Sequence, residues 1–200
     1  MTPRLRIVGT PLELEPPWSL RTPRLTIRRL TPADREAFLW AVSATRDALA
    51  AHLPIHRPGE DDERLFRRLL HQDGGDGPGY MSLRVVGLLD DGRIAGGYNL
   101  LKPSGGLELR ASMNWWTAAN CTGQGLATEA VAALLTHALT EAPPSGAGLG
   151  LHLVEAWITR DNPASRRIAE KAGFSLASDQ PSYIRTGDRW TLHDLYTKRG

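Results

Sequence analysis

A chain of 200 residues, 41% hydrophobic and 23% charged, has the size and composition of one soluble domain with a substantial core. The formal net charge is only +2 and no dense basic run is present, so the charge pattern requires neither a nucleic-acid nor a membrane partner. The single cysteine, Cys121, excludes an internal disulfide framework, and no apolar run resembles a signal sequence or membrane span, so we expect a cytoplasmic protein.

The chain begins with a segment that partly repeats the sequence following it. "TPRLRI" at 2–7 recurs as "TPRLTI" at 22–27, but the similarity goes no further, so a true repeat is not indicated. We predict an N-terminal extension over residues 1–21, with a possible edge strand, and one domain over residues 22–200. "RLTIRRL", which starts within the second copy, is predicted to be the first strand of that domain.

Two helices and three antiparallel strands are predicted next. The first helix begins at "TPAD" and has one buried face, formed by Phe38, Val42, Thr45 and Leu49. The second, "EDDERLFRRLL", has acids at its start and arginines toward its end, as the helix dipole favours. Strands are predicted at 80–89 and 93–101 around the turn "DDGR", and a third begins at 107.

A glycine-rich loop precedes the longest predicted helix, in the segment "NCTGQGLATEAVAALLTHAL" that starts at residue 120. Glycine lets a ligand approach backbone amides, and the unpaired N–H groups at a helix start attract anions. The loop is therefore predicted to bind an anion. Beyond it, we predict a strand at 151–158, a short helix in "NPASRRIAEKAGF" and two final strands near 174–184 and 189–198.

Two nucleotide-binding interpretations of the loop fit poorly. A Walker-type phosphate loop needs a lysine after its last glycine, where this chain has Leu126. A dinucleotide fingerprint matches at Gly123 and Gly125, but Thr128 replaces its third glycine. The next strand does lead to Asp161, yet the chain lacks the further βαβ units of a nicotinamide-binding sheet. The third candidate anion is the pyrophosphate of an acyl-CoA.

Two motifs resemble the GNAT superfamily of N-acetyltransferases, and specifically its ribosomal-protein N-terminal acetyltransferase (RimJ/RimL-like) branch. "TGQGLA" is similar to the family's pyrophosphate loop, with Thr122 where the family has Gln or Arg, and "DNPASRRIAEKAGF" resembles the branch's N-x-x-S helix. The resemblance covers roughly residues 20–198. It implies an α+β (α/β) fold with a single mixed, mostly antiparallel twisted sheet of about seven strands, helices on both faces and a splayed central strand pair.

The resemblance further implies that acetyl-CoA binds as the acyl donor. The loop amides would face the pyrophosphate, and the strand before the loop would pair with the pantetheine arm; Asn114 stands where the branch usually has glycine. The implied cofactor-binding residues are Met113, Asn114, Trp115, Trp116, Thr122, Gly123, Gln124, Gly125, Leu126, Ala127, Thr128, Asn162 and Ser165.

Asn162 and Ser165 have both a functional and a structural interpretation. By resemblance, Asn162 hydrogen-bonds the pantetheine arm and Ser165 is the general acid toward the departing thiolate, but both residues are also suited to capping their helix. Strand alternation places Trp115 and Trp116 on opposite faces, so one of them either lines the acyl or substrate pocket or covers the sheet beneath a helix.

The sequence does not fix a general base. The branch is known for a glutamate after the N-x-x-S helix, where this chain has Ser182 and Tyr183, and Asp179 is the nearest acid. The other candidates are Glu108, Glu155, His152 and His193. A water chain to solvent is an alternative, which a peptide α-amine would tolerate because its reference pKa of about 7.7–8.0 lies well below the 10.4 of lysine.

The acceptor cleft is expected near "AAHLPIH", with Trp40, His52 and Trp115 as substrate-binding residues. His52 and His56 are four residues apart, but Pro54 separates them and no third ligand is near, so no metal site is predicted. Cys121 adjoins the glycine loop without a recognisable base partner, and we interpret it as incidental.

The sequence therefore predicts an enzyme that transfers an acetyl group directly from acetyl-CoA to a primary amine, with a protein or peptide α-amine as the favoured acceptor. Small amines such as aminoglycosides or polyamines, and a longer acyl group such as succinyl, stay open. A CoA-binding module without turnover is the alternative from a different class. We expect neither nucleic acid nor a membrane as a partner, and a homodimer through edge strands stays open.

Overall fold

One open sheet of nine strands forms the centre of the fold in the described part of the chain. A computed structural model describes residues 18–71, 82–104, 109–142, 145–177, 181–186 and 188–200. The strands are β1 (Ser19–Arg21), β2 (Thr26–Arg28), β3 (Ser82–Leu88), β4 (Ile94–Ser104), β5 (Arg110–Thr117), β6 (Leu153–Thr159), β7 (Ser175–Leu176), β8 (Ser182–Thr186) and β9 (Arg189–Arg199).

The sheet is mixed and mostly antiparallel, as predicted. Its order is β1-β2-β3-β4-β5-β6-β9-β7, with β8 paired to β9, and β5–β6 is the only parallel pair among the described strands. Nine strands replace the expected seven because β1 adds an edge and the predicted run 174–184 is divided. Pro181, which lacks a backbone N–H, precedes β8 and cannot donate to a ladder. The first "TPRLRI" copy lies outside the described residues.

Five α-helices lie in the described segments. They are α1 (Arg35–Ser43), α2 (Arg46–His52), α3 (Asp62–Leu70), α4 (Leu126–Leu139) and α5 (Pro163–Ala172). Phe38 of α1 contacts Trp116 at a ring-centroid distance of 6.4 Å, whereas Trp115 contacts Phe174, just after α5, at 6.3 Å. Because neighbouring strand residues point to opposite faces, helices cover both sides of the sheet.

The first predicted helix is two helices, with the break at Thr45. The Thr45 hydroxyl donates to the carbonyl oxygen of Ala41 at 2.7 Å and accepts the backbone N–H of Ala119 at 3.0 Å. Such bonding to the preceding turn competes with regular helix geometry, and here it also attaches the break to the segment after β5. The four residues predicted to form the buried face are nevertheless all buried.

The position of the site follows from a separation between two central strands. β5 and β6 pair in parallel only where 110–112 faces 153–155, and beyond those residues they diverge. β5 stays paired with β4 as far as Thr117, so only its other edge is released. The predicted splayed strand pair is therefore confirmed.

Candidate active site

The gap between β5 and β6 opens into a cavity of about 580 Å³. We call it the first cavity; it is lined by both strands, the glycine loop, the start of α5 and part of α2. All the predicted cofactor-binding residues except Gln124 line it. Gln124 is exposed, and its side-chain amide donates to the carbonyl oxygen of Asn120 at 2.9 Å.

The glycine loop has the backbone that its sequence predicts. Gly123 and Gly125 have φ values of 73° and 76°, in the left-handed region that side chains other than glycine rarely adopt. Gly125 is the N-cap of α4, so the unpaired N–H groups and the positive end of a 14-residue helix begin at this loop. An anion placed against the loop would be stabilised by both features.

Arg24 adds a cation at the loop that the sequence analysis missed. Its Nη1 donates to the carbonyl oxygen of Gln124 at 2.9 Å, and its Nε lies 2.6 Å from a carboxylate oxygen of Glu129 in the first turn of α4. Thr122 lacks the charge that the related motif carries in Arg-bearing members, whereas Arg24 brings a guanidinium to the loop from the turn between β1 and β2. The two segments are about 100 residues apart, so no local pattern indicated the contact.

The first cavity also exposes backbone and buried polar atoms that fit an amide-bearing ligand. On its β6 side, the backbone of 113–117 has no ladder partner. The indole N–H of Trp115 and the hydroxyl of Thr159 are buried in the lining without a hydrogen-bond partner among the described residues. Buried polar groups are costly unless they are paired, so this wall suits the amides of a pantetheine arm.

At the start of α5, the structural interpretation of Asn162 is correct and leaves the functional one open. The Asn162 Oδ1 accepts the backbone N–H of Ser165 at 3.0 Å, which is an N-cap bond. The NH₂ group of the same side chain remains as a donor toward a ligand. Asn162 and Ser165 both line the first cavity, so the cap fixes their relative positions.

Among the candidate bases that the structure describes, His193 is the one that lines the first cavity. It is buried, and its Nδ1 lies 2.9 Å from the carbonyl oxygen of Thr191. Because a carbonyl can only accept, this bond requires the proton on Nδ1, which makes Nε2 the acceptor in the neutral ring. From the sequence alone, His193 could not be preferred over the other candidate bases, since the position of His193 depends on the pairing of β9 with β6.

The other candidates lie elsewhere. Glu155 does not line the cavity and sits 3.9 Å from the Arg110 guanidinium, and His152 is exposed before β6. Glu108 and Asp179 lie outside the described residues, and Tyr183 is exposed on β8.

A second cavity of about 390 Å³ adjoins the first. Leu53, Asn114 and Trp116 line both cavities, and the second is otherwise bounded by β3, β4, α1, α3, the residues after β2 and the segment after α2. The predicted cleft near "AAHLPIH" therefore borders both cavities. Its position makes the second cavity the candidate acceptor side.

The predicted substrate-binding residues divide between the cavities and the surface. His52 lines the first cavity, where its Nδ1 is 4.0 Å from the Asp161 carboxylate, and Trp115 lines it as well. Trp40 is 51% exposed and lines neither cavity, so the structure does not bring it to the cleft. The helical pattern put Trp40 outside the buried face of α1, and the structure keeps it there.

Metal and thiol chemistry find no support in these residues. His56 contacts Asp62 at 2.7 Å, and the described segments contain no cluster of three potential metal ligands. Cys121 is buried in the first-cavity lining, and burial raises the pKa of its thiol, which disfavours the reactive thiolate. Within the described residues, no helix has the length and apolar character needed to cross a bilayer.

Comparisons with known proteins agree with this geometry. RimJ of Mycobacterium smegmatis, solved with a CoA-disulfide, shares 22% identity over 88% of this chain and 81% of its own, with a TM-score of 0.69. RimL, a ribosomal α-N-protein acetyltransferase solved with coenzyme A, shares 17% identity over 89% of this chain and 95% of its own, with a TM-score of 0.71. Spermidine N-acetyltransferase of Vibrio cholerae, solved with CoA and spermine, shares 16% identity over 89% of this chain and 96% of its own, with a TM-score of 0.66.

At these low identities, the similarity to the three solved structures shows a shared fold. A search of the curated proteins gave no match. The family itself is shown by a sequence model described as an acetyltransferase (GNAT) domain, which matches residues 24–175. The matched region contains the glycine loop, the diverging strands and the N-x-x-S helix. The chain therefore belongs to the GNAT acetyltransferase family and is an N-acetyltransferase.

Proposed function

We propose that this enzyme transfers an acetyl group from acetyl-CoA to the α-amine of a peptide or protein N-terminus, as a RimJ/RimL-like member of its family. The observation that carries the proposal is the released edge of β5, which begins at a strand separation and leads into a glycine loop at a helix start. A cytoplasmic location fits a chain whose single cysteine is buried and free.

The donor would lie along the first cavity. Backbone amides of 123–128 and the positive end of α4 would hold the pyrophosphate, and Arg24 would stabilise the loop from behind. The open backbone of 113–117 and the Asn162 NH₂ group would bind the pantetheine amides. Trp115 Nε1 and Thr159 Oγ1 supply two further polar contacts that otherwise lack partners among the described residues.

His193 and Ser165 would carry out the two proton transfers of the reaction, one from the amine and one to the thiolate. When bound, acetyl-CoA supplies an activated thioester whose C–S bond breaks as the new C–N bond forms. His193 Nε2 accepts the proton that the attacking amine loses, and Ser165 Oγ donates a proton to the thiolate. Ser165 then regains a proton from solvent and His193 releases one to solvent, so the net transfer is one proton from the amine to the sulfur.

An α-amine acceptor is favoured by acid–base chemistry. The reference pKa of an α-amine lies about 2.5 units below that of a lysine amine, so a much larger fraction is neutral and nucleophilic near pH 7. The solved relatives include both an α-N-protein and a spermidine acetyltransferase, so likeness alone supports either acceptor class. The second cavity provides room for an acceptor beside the diverging strands.

The test is a calorimetric titration with acetyl-CoA, paired with a thiol-release assay on N-terminal peptides, N-acetylated versions of the same peptides and polyamines. We expect acetyl-CoA binding, and thiol release with free N-termini but not with blocked ones. Faster thiol release with polyamines than with peptides would contradict the proposal that the acceptor is a peptide α-amine. Binding without release from any amine would favour the CoA-binding module, and no binding would refute the donor site.

A further inference from the structure

We propose that Asn114 is a catalytic residue, whose side-chain NH₂ group donates a hydrogen bond to the acetyl oxygen of the donor while the amine attacks. This inference rests on the proposed function, because it requires acetyl-CoA to lie along the first cavity with its pyrophosphate at the glycine loop. It assigns a partner to the negative charge that develops on the acetyl oxygen, which the proton transfers by His193 and Ser165 do not stabilise.

Asn114 lies where the acyl end of the donor should be. The last parallel pair between β5 and β6 is Ser112 with Glu155, so Asn114 is two residues past the point at which the strands begin to diverge. The glycine loop follows the other end of β5, which is Thr117. A pantetheine arm that starts at the loop and runs back along the released edge would therefore bring its thioester to the narrow end of the gap, beside Asn114.

Asn114 also faces the side from which the acceptor would come, since it lines both cavities. Residues two apart on a strand share a face, and so do directly paired residues of neighbouring strands. Ser112 of β5 pairs with Glu155 of β6. Thr159, four residues further along β6, pairs with His193. Asn114 therefore shares a face of the sheet with His193, the proposed base.

A hydrogen bond within the sheet fixes which atom of the Asn114 amide faces the donor. The Asn99 NH₂ donates to the Asn114 Oδ1 at 2.8 Å, and Asn99 lies on β4, on the side of β5 opposite to the gap. Arg84 of β3 pairs with Asn99 from the other side, and a guanidinium can only donate, which suits the Asn99 carbonyl to that side and its NH₂ to Asn114. The Asn114 NH₂ bonds no residue in the described part of the chain and is thereby left for the released edge of β5.

The reaction needs such a donor at one stage. As the neutral amine attacks the carbonyl carbon of the thioester, the C–N bond forms and the carbonyl π pair moves onto the oxygen. When that pair returns, the C–S bond breaks; the amine's proton goes to His193, and Ser165 gives a proton to the thiolate. A side-chain amide that is already fixed stabilises the transient negative oxygen without reorganisation, and one such donor is worth about 10² to 10³ in kcat.

This donor would be specific to the present chain. The branch that the sequence resembles usually has glycine at this position, and glycine has no side chain to donate. The cavity junction thus contains an additional polar group at the place where the donor and the acceptor would meet.

The experiment measures single-turnover thiol release and the Kd of acetyl-CoA in three variants. Asn114→Ala removes the donor, whereas Asn114→Asp keeps the size and the acceptor for Asn99 but replaces the NH₂ group by a second oxygen. We expect both to slow single-turnover release by about 10² or more, while Kd stays close to that of the wild type. Melting temperature identifies a variant that has lost its fold.

Asn120→Ala is the matched control and should keep the wild-type rate. Asn120 is exposed and lines neither cavity. Its backbone carbonyl, which accepts from the Gln124 side chain, is retained in the variant.

Infrared spectroscopy separates this role from a structural one. A hydrogen bond to the acetyl oxygen weakens the C=O bond and lowers its stretching frequency. Bound acetyl-CoA that is labelled with ¹³C at the carbonyl should therefore absorb at a higher frequency in both Asn114 variants than in the wild type, and at the wild-type frequency in Asn120→Ala. The measurement needs only bound donor, so it does not depend on the acceptor.

The results that would overturn the inference are distinguishable from failure of the proposed function. Equal single-turnover rates in Asn114→Ala and Asn120→Ala would refute the role of Asn114 while the acetyltransferase stands. A slower rate with an unmoved carbonyl band would show that Asn114 positions other groups and does not contact the acetyl oxygen. A wild type that binds acetyl-CoA but releases thiol with no amine would refute the proposed function, and the carbonyl band would still test the contact.

Discussion

Arg24 and Glu129 are 105 residues apart in sequence and are joined by two hydrogen bonds in the fold. The backbone N–H and the Nε of Arg24 donate to the two carboxylate oxygens, at 2.9 and 2.6 Å, and the Thr22 hydroxyl donates to one of them at 2.6 Å. Burial of the Glu129 carboxyl opposes ionisation, but the bonds from Thr22 and Arg24 outweigh it and lower its pKa. The turn before β2 is thus attached to the first turn of α4.

Arg24→Gln should weaken acetyl-CoA binding more than it weakens the fold. The variant loses the charged contact to Glu129 and the support of the Gln124 carbonyl, so the glycine loop loses its fixed position. We expect Kd for acetyl-CoA to rise about tenfold, as for one hydrogen bond to a charged group. Titration calorimetry measures it. Arg93→Gln, which breaks an exposed pair with Asp91, is the control; equal Kd values in the two variants would contradict the role.

Gly125→Ala should cost stability and donor affinity, whereas Gly92→Ala should cost stability alone. Both glycines have positive φ, 76° and 83°, and an added Cβ at either position makes no contact tighter than 3.5 Å. The strain of a left-handed alanine is about 1 kcal/mol in each case. Urea unfolding should show similar losses, and only Gly125→Ala should raise Kd for acetyl-CoA. Unchanged affinity in that variant would place the pyrophosphate elsewhere.

His193→Gln should lower kcat while leaving acetyl-CoA affinity unchanged. Removal of a positioned base typically costs about 10² to 10⁴ in rate. His71→Gln is the control, because His71 makes a similar Nδ1 contact to a carbonyl oxygen at the exposed end of α3. Steady-state kinetics with an α-amine peptide measure the effect. An unaltered kcat would favour the water chain.

Thr45→Val should destabilise the fold by about 1 kcal/mol, and Thr45→Ser should not. Valine keeps the shape of threonine but has no hydroxyl, so the bonds to Ala41 and Ala119 are both lost. Serine retains the hydroxyl and isolates its contribution from that of the methyl group. Urea unfolding at neutral pH measures the difference. Equal stability of the valine variant and the wild type would show that the break after α1 does not depend on this hydroxyl.

Glu60→Gln should be destabilising at neutral pH and nearly neutral in strong acid. The hydrogen bonds from Arg68 lower the pKa of Glu60 from 4.5 to about 2. A carboxyl whose folded pKa is lowered contributes stability above its unfolded pKa and loses it as pH falls through the folded value. The difference between wild type and variant should therefore shrink between about pH 4.5 and 2. A difference that stays constant over that range would contradict the pairing of Glu60 with Arg68.

Features that depend on a few neighbouring residues were predictable from the sequence. Asp61 accepts the N–H of Arg64 at the start of α3, and Asn162 does the same for Ser165, so each helix start is determined within one turn. The left-handed glycines of the loop are equally local. These signals suffice for the element order and for the family motifs, which together pointed to twelve of the residues that line the first cavity.

Features that depend on strand neighbours were not predictable from one sequence. Choosing His193 over His152 required knowing that β9 lies beside β6 with His193 opposite Thr159. Arg24 became part of the loop only through a tertiary contact, and the hydrogen bond between Asn99 and Asn114 depends on the register of β4 and β5. The break at Thr45 was missed because the helical pattern of buried residues continues across it.

With the donor placed as proposed, the divergence of β5 from β6 would make the stability of this enzyme depend on its donor. A pantetheine arm paired with 113–117 would take the place of an absent strand, so it would bind the folded chain and have no counterpart in the unfolded one. Donor at a hundredfold excess over its Kd would add about 2.7 kcal/mol to the free energy of unfolding. The supply of acetyl groups in the cell would thereby regulate how long each enzyme molecule resists unfolding and proteolysis, in addition to how fast it works.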